Sequence, residues 1–266
     1  MVVAFVLRGL AAAALLGAAA FAHSEIPAAG GLTVSPTRVV LVGDGAGAKL
    51  IVKKTRARAM TYRLSLVRMR MGERGAMSLA DEARTGELFA DGLVRFSPAV
   101  LTLAPGFDQT VRLKARLPHG VWPGEYRSHL LFRPVDVPGE ANAVAREEGG
   151  AADDARAWSP VGVTVPVIVR VGDVRATVRI SSLTLVGTGD GARLEVVLER
   201  SGNASIYGDL AVRLESDGAR PELVGGLGGL AVYVPNDRRV VEIPLRLPEP
   251  APAGERRLRV EYRSVG

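Results

Sequence analysis

The sequence predicts an all-β protein built as two β-sandwiches, and three observations carry that expectation. Short runs of alternating apolar and polar residues recur along the chain, each closed by a turn signal, which is the spacing of sandwich strands. Gly (31) and Pro (16) separate Val-rich segments, and hydrophobic residues make up 47%, enough to fill packed cores. After residue 22 no stretch shows the 3.6-residue period of an amphipathic helix. At 266 residues the chain has room for two domains of ordinary size.

The chain opens on a targeting pattern. Arg8 precedes the apolar stretch Leu10 to Phe21, and Ala20-Phe21-Ala22 offers an A-x-A cleavage site before His23. Residues 1–22 therefore read as a signal peptide, and its removal takes away Arg8 and lowers the net charge from +6 by one. No later segment carries roughly eighteen uninterrupted apolar residues, so an exported protein without stable membrane insertion is expected.

Within residues 23–170 the strand signals follow one another closely. Leu32 to Val42 reads as a strand interrupted at Ser35-Pro36, and Gly43 to Gly47 as a turn before Ala48 to Lys53. Met60 to Met71 alternates, Gly72 to Thr85 is polar and turn-rich, and Leu93 to Leu103 is broken by Pro98. Asp108 to Leu117 alternates again, and Gly124 to Phe132 is a strong strand. Val137 to Ala157 has no strand period and is rich in Ala, Gly and acids, which predicts a disordered connection.

The stretch that follows, Ser159 to Arg170, organises the rest. Valines hold every odd position from Val161 to Val169, so one face is uniformly apolar. Pro160 and Pro166 both fall on even positions, so both missing N–H donors lie along one edge. The expectation is a strand paired on one side only, its other edge open between the prolines. Such an edge is ordinarily an aggregation hazard, and here it is read as the working surface. Past Gly172-Asp173, residues 171–266 hold a second strand set: Arg175 to Val186, Arg193 to Arg200, Ile206 to Leu214, Leu230 to Val234, Val240 to Leu247 and Arg256 to Arg263.

Several chemistries are poorly served. There is no cysteine, which excludes disulfides, thiol catalysis and thiolate metal sites. The three histidines form no H-x-H or H-x-x-x-H pair, so no metal is expected. No Gly-x-Ser-x-Gly elbow is present, and the glycine-rich pieces 43–47, 187–191 and 225–229 lack a Gly-Lys-Ser/Thr ending and read as hairpin turns. No enzyme activity and no cofactor is expected. The densest basic pairs, Lys53-Lys54, Arg238-Arg239 and Arg256-Arg257, are scattered, so no nucleic acid is expected either. What remains is two strand arginines, Arg38 after Pro36-Thr37 and Arg127 within Glu125 to Leu130, either of which could grip a carboxylate through paired hydrogen bonds.

These residues form a resemblance. Leu32-Thr33-Val34-Ser35-Pro36-Thr37-Arg38-Val39-Val40 resembles the opening strand of the periplasmic pilus and fimbrial assembly chaperones of the chaperone–usher type. Phe96-Ser97-Pro98, Leu103-Ala104-Pro105-Gly106 and Gln109 to Leu113 resemble their middle signature. Gly124 to Leu130 is similar to the next strand in the archaic branch of that family. The likeness covers Leu32 to Gly172, with only Arg200 to Asn203 and Tyr207-Gly208 pointing to the second domain.

The resemblance implies two immunoglobulin-like β-sandwich domains set at an angle with a cleft between them, residues 23–170 and 171–266. It implies a chaperone in the periplasm whose partners are a pilin or fimbrial subunit and an outer-membrane usher. Such a chaperone lends a β-strand to a subunit that lacks its last one, and basic cleft residues hold the subunit's terminal carboxylate. Carried over by position, Arg38 is the first anchor, and Val161, Val163, Val165 and Val167 are groove-filling side chains. Each buried Val is worth about 1.5–2 kcal/mol, and removing an arginine paired with a buried carboxylate costs about 2–5 kcal/mol of binding. The sequence departs from the family at Pro166, where many members carry a cleft lysine; Arg127 on the neighbouring strand is the substitute. The alternative reading is an exported β-sandwich binding or structural module without subunit capping, which the absent lysine and the small donor residues favour.

Overall fold

The structure is a computed structural model that describes residues 2–8, 31–54, 59–135, 162–248 and 255–265. The described residues are almost all β, the one helical piece among them being a 3-10 turn at Gly189–Gly191. The chain divides into two compact units, one of Glu25–Arg70 and Met77–Val174, the other of Met1–Ser24, Met71–Ala76 and Arg175–Gly266. Strand β1 (Val2–Arg8) belongs to the second of these.

The unit of Glu25–Arg70 and Met77–Val174 is a sandwich of two sheets. One runs in the order β2 (Leu32–Ser35), β4 (Gly47–Lys54), β10 (Asp108–Ala115), β8 (Val94–Ser97). The other runs β3 (Val39–Val42), β12 (Val163–Val171), β11 (Gly124–Pro134), β5 (Met60–Val67), β9 (Val100–Leu103). A short hairpin of β6 (Met69–Met71) and β7 (Met77–Leu79) stands apart. The alternation read in the sequence does the sorting. Leu50, Val52, Val111 and Leu113 point inward from the first sheet and meet Leu64, Leu130, Phe132 and Val165 from the second, in one continuous buried core. Fully burying such a side chain stabilises the fold by roughly 1.5–3 kcal/mol.

The interruption at Ser35-Pro36 has a structural meaning. Pro36 brings no N–H to continue a ladder, so β2 ends at Ser35, paired with β4. The chain then leaves that sheet, and three residues later β3 begins in the opposite one, parallel to β12.

The other unit holds β13 (Ala176–Val186), β14 (Arg193–Gly202) and β17 (Arg238–Pro244) in one sheet. Its second sheet runs β1, β18 (Glu255–Ser264), β15 (Ile206–Ser216), β16 (Glu222–Val232). Leu194, Val196 and Leu198 of β14, Leu210, Val212 and Leu214 of β15, and Leu258 and Val260 of β18 are buried. Arg200, also buried, is a strut: its Nε donates to the Asn236 carbonyl at 2.7 Å and one terminal nitrogen to the Ala204 carbonyl at 2.9 Å. That accounts for an arginine in the Arg200-Ser201-Gly202-Asn203 stretch.

Three elements differ from the sequence reading. Residues 225–229, expected as a turn, lie inside β16, which pairs with β15 through two register shifts. Glycine is depleted in strands, which hid the element, but Gly225 is needed there. A Cβ on it would come within 3.0 Å of the Pro244 carbonyl oxygen and of a Leu245 methyl. Met77–Leu79 forms β7 within a stretch read as turn-rich. Residues 2–8, part of the expected signal peptide, form β1 antiparallel to β18, from Val2 opposite Glu261 to Arg8 opposite Glu255. The cleavage site at 20–22, the connection 137–157 and Val161 lie outside the described residues.

Candidate partner-binding edge

Strand β12 is antiparallel to β11 along its length, from Val163 opposite Phe132 to Val171 opposite Gly124. On its other side β3 pairs in parallel with Val167–Arg170. The expectation of a strand with a single neighbour is therefore corrected. Among the described residues no strand pairs with Val163–Pro166 on that side, and Pro166 marks the point where pairing with β3 begins. The sequence reading merged Val39–Val42 with Leu32–Val34 into one interrupted strand. Sent into the other sheet at Pro36, that apolar run is what covers half the edge.

Pro166 opposite His129 fixes the direction of the remaining donors. A proline cannot sit in a pair that exchanges both N–H bonds, so even-numbered N–H groups of β12 face away from β11. The Thr164 N–H accordingly points to the bare edge.

The odd face of β12 is not available in the way the sequence reading assigned it. Val165 and Val167 are 2% and 0% exposed and belong to the chain's own core, with Val169. Val163 is half-buried at the rim of that core. A uniform β-branched face is what any interior-facing strand shows, and period two cannot say whose interior it faces. Val165 and Val167 are thus corrected to core residues, and Val161 is outside the described residues.

The even face gathers the polar residues. Val39 aligns with Val167, so Arg38, one residue earlier, falls in line with Pro166 and His129. The next row holds Val40, Ile168 and Arg127, and the one after it Val42, Arg170 and Glu125. Arg38 and Arg127 therefore share one sheet face in adjacent rows, two strands apart, roughly 12 Å between backbones from strand spacing. Arg38 is half-buried, while Glu125, Arg127 and His129 are all buried.

Burial at these rows shapes their electrostatics. The Glu125 side chain is 1% exposed and accepts from the Arg170 Nε at 3.0 Å, so the charge is paired. Burial, and after it the positive charge of Arg127, push the His129 imidazole down to about 3. His129 is therefore neutral at neutral pH. On the opposite face of β11, buried Ser128 accepts from the Ala90 N–H at 3.0 Å and donates to Asp91 at 3.3 Å. Asp91 is gripped by Arg68 at 2.9 Å.

The sequence reading singled out Arg38 and Arg127 but passed over Glu125, His129 and Arg170. Glu-Tyr-Arg-Ser-His alternates like a solvated strand, and only cross-strand register brings Glu125 opposite Arg170.

No family model matches the chain, and no curated protein matches it. Solved structures similar to it include several fimbrial chaperones. The Pseudomonas aeruginosa CupB2 chaperone is 14% identical, with 88% of this chain and 93% of that one covered at a TM-score of 0.40. The YadV chaperone is 12% identical, with 89% and 94% covered at a TM-score of 0.41. A chain of the CsuC–CsuE chaperone–tip adhesion subunit complex of Acinetobacter baumannii Csu pili is 11% identical, with 77% and 90% covered at 0.36. At these identities and overlaps no residue role is carried across.

Proposed function

We propose that the protein is an exported periplasmic chaperone that binds pilin or fimbrial subunits by pairing their backbone along the bare edge of β12, for delivery to an outer-membrane usher. Arg8, the apolar run to Phe21 and Ala20-Phe21-Ala22 support export with cleavage after residue 22. The observation that carries the reading is the run Val163–Pro166, unpaired on one side among the described residues, with Arg38 in line with its last residue. The edge supplies main-chain bonds, and Val163 with the preceding Val161 supplies side chains for a partner's groove. Arg38, with Arg127 one row away, holds a partner's carboxylate.

The test is co-expression with a pilin subunit and recovery of the complex from periplasmic extract. Arg38→Ala and, separately, Thr164→Pro should each lower recovered subunit at least tenfold, the second by removing one donor from the bare edge while leaving the β11 ladder intact. Both variants should keep the wild-type circular dichroism and melting temperature. Undiminished recovery from both folded variants refutes the reading.

A second reading has its own support. Val165 and Val167 buried in the protein's own core, and β3 covering Val167–Arg170, suit a β-sandwich binding or structural module in which β12 is a permanent internal strand. Undiminished recovery would favour it.

A further inference from the structure

On the other sheet of the same unit, the outward face of β4, β10 and β8 carries a cationic stripe that the edge of β12 does not involve. Arg112 stands directly opposite Lys49 on β4, with Ser97 on its other side. Two residues along, Lys114 stands directly opposite Arg95, with Gly47 on its other side. All four cations are exposed. They line a hollow of about 500 Å³ together with Gly45, Gly47 and Ala48.

Like charges placed directly across a ladder repel and destabilise the pair. Elsewhere the protein bridges them. Glu195 lies opposite Glu242, and the Arg74 guanidinium reaches between them at 3.2 Å and 2.8 Å. Arg213 lies opposite Arg259, and Glu261 and Glu215 answer them at 3.8 Å and 3.3 Å. Lys53, further along β4, is matched to Asp108 at 3.1 Å. Arg63 opposite Arg133 is, among the described residues, an unbridged pair, but a single one. In the stripe two such pairs stand in consecutive rows, and among the described residues no carboxylate is paired with any of the four. Asp44, at the stripe's end, is engaged in its turn. Its carboxyl is held below the ordinary range first by the Leu117 N–H it accepts at 2.9 Å, and further by Arg116 and Lys114.

We infer that this stripe is a docking surface for an extended acidic peptide of a partner protein, with carboxylates on alternate residues. The two rows are two residues apart along β10, about 6.7 Å, and the two cation pairs flank β10 on opposite sides, so their midpoints lie on a diagonal roughly 8 Å apart. An extended peptide crossing the strands obliquely projects side chains to one face at about 6.7 Å, within side-chain reach of that separation, so one carboxylate would sit between Lys49 and Arg112 and the next between Lys114 and Arg95. Each carboxylate would do for a cation pair what Arg74 does for Glu195 and Glu242. A compact anion spans one row only, and so does a chain in which no two carboxylates stand two residues apart.

The test uses the full mature protein and two labelled peptides of equal composition, one alternating Asp and Ser over six residues, the other Asp-Asp-Ser-Ser-Ser-Asp, in which no two Asp stand two residues apart, read by fluorescence anisotropy at low salt. The alternating peptide should bind at least fivefold more tightly, and raising salt from about 50 to 300 mM should weaken it at least tenfold. The double variant Arg112→Glu/Lys114→Glu should lose at least tenfold, with an unchanged melting profile as the control for folding. Equal affinity for the two peptides, undiminished binding by the folded variant, or displacement by inorganic phosphate as effectively as by unlabelled alternating peptide would each overturn the inference and leave only a general anion sink. Subunit recovery through β12 is a separate measurement, so the two readings fail independently.

Discussion

The two sheets of one sandwich turn charged residues away from a shared core, and they treat charge in opposite ways. On β11 and β12 the outward rows are buried: Glu125 is matched to Arg170, and His129 gives up its proton. On β4, β10 and β8 the outward rows are in water, and among the described residues cations face cations without a bridge. Residue type does not separate the two faces, because both are built on strands that alternate charged with apolar residues. What separates them is access to water. Buried charge must be satisfied inside the fold and becomes part of its stability. Exposed charge is screened, costs little, and stays available to something outside the chain.

The sharpest way to break this contrast is Arg170→Met, which removes the guanidinium that buried Glu125 accepts from. Stability should fall by about 3 kcal/mol, seen as a lower urea midpoint with an unchanged slope. A loss under about 1 kcal/mol would mean that the buried row is no more committed than the exposed one.

Next comes acid. His129 titrates near 6.5 when unfolded and at about 3 in the fold. As pH drops below 6.5 the unfolded chain takes up a proton that the folded one refuses. Stability is therefore full above 6.5 and declines toward pH 3, by at most about 1.4 kcal/mol per pH unit from this residue. His129→Gln should flatten the decline between pH 6.5 and 5 in urea titrations. An unchanged decline would show that other groups carry it.

The smallest effect belongs to the exposed face. Lys49→Glu places an acid directly opposite Arg112 and should raise stability by about 0.5 kcal/mol, an increase that vanishes in high salt. A loss of stability would mean that the opposed cations are not in repulsion.

Much of this was legible in the sequence. Alternation located most of the strands and sorted the core, because strand period is a local property. Arg38 was found through Pro36, whose missing donor ends β2. What escaped was decided by register and by whose core a face meets. Nothing local distinguishes Val165, packed at home, from a valine offered to a guest. The Glu125–Arg170 pair joins positions 45 residues apart. Glycines 225, 226, 228 and 229 argued for a turn until the close approach of Pro244 and Leu245 explained one of them.

The passage of one chain from β2 into β3 ties the rims of both sheets with three residues of backbone. Sliding one sheet against the other at that corner would have to unzip two ladders together, so the corner behaves as a stitched seam. A guanidinium rooted at the seam, as Arg38 is, keeps its address when the rest of the sandwich breathes.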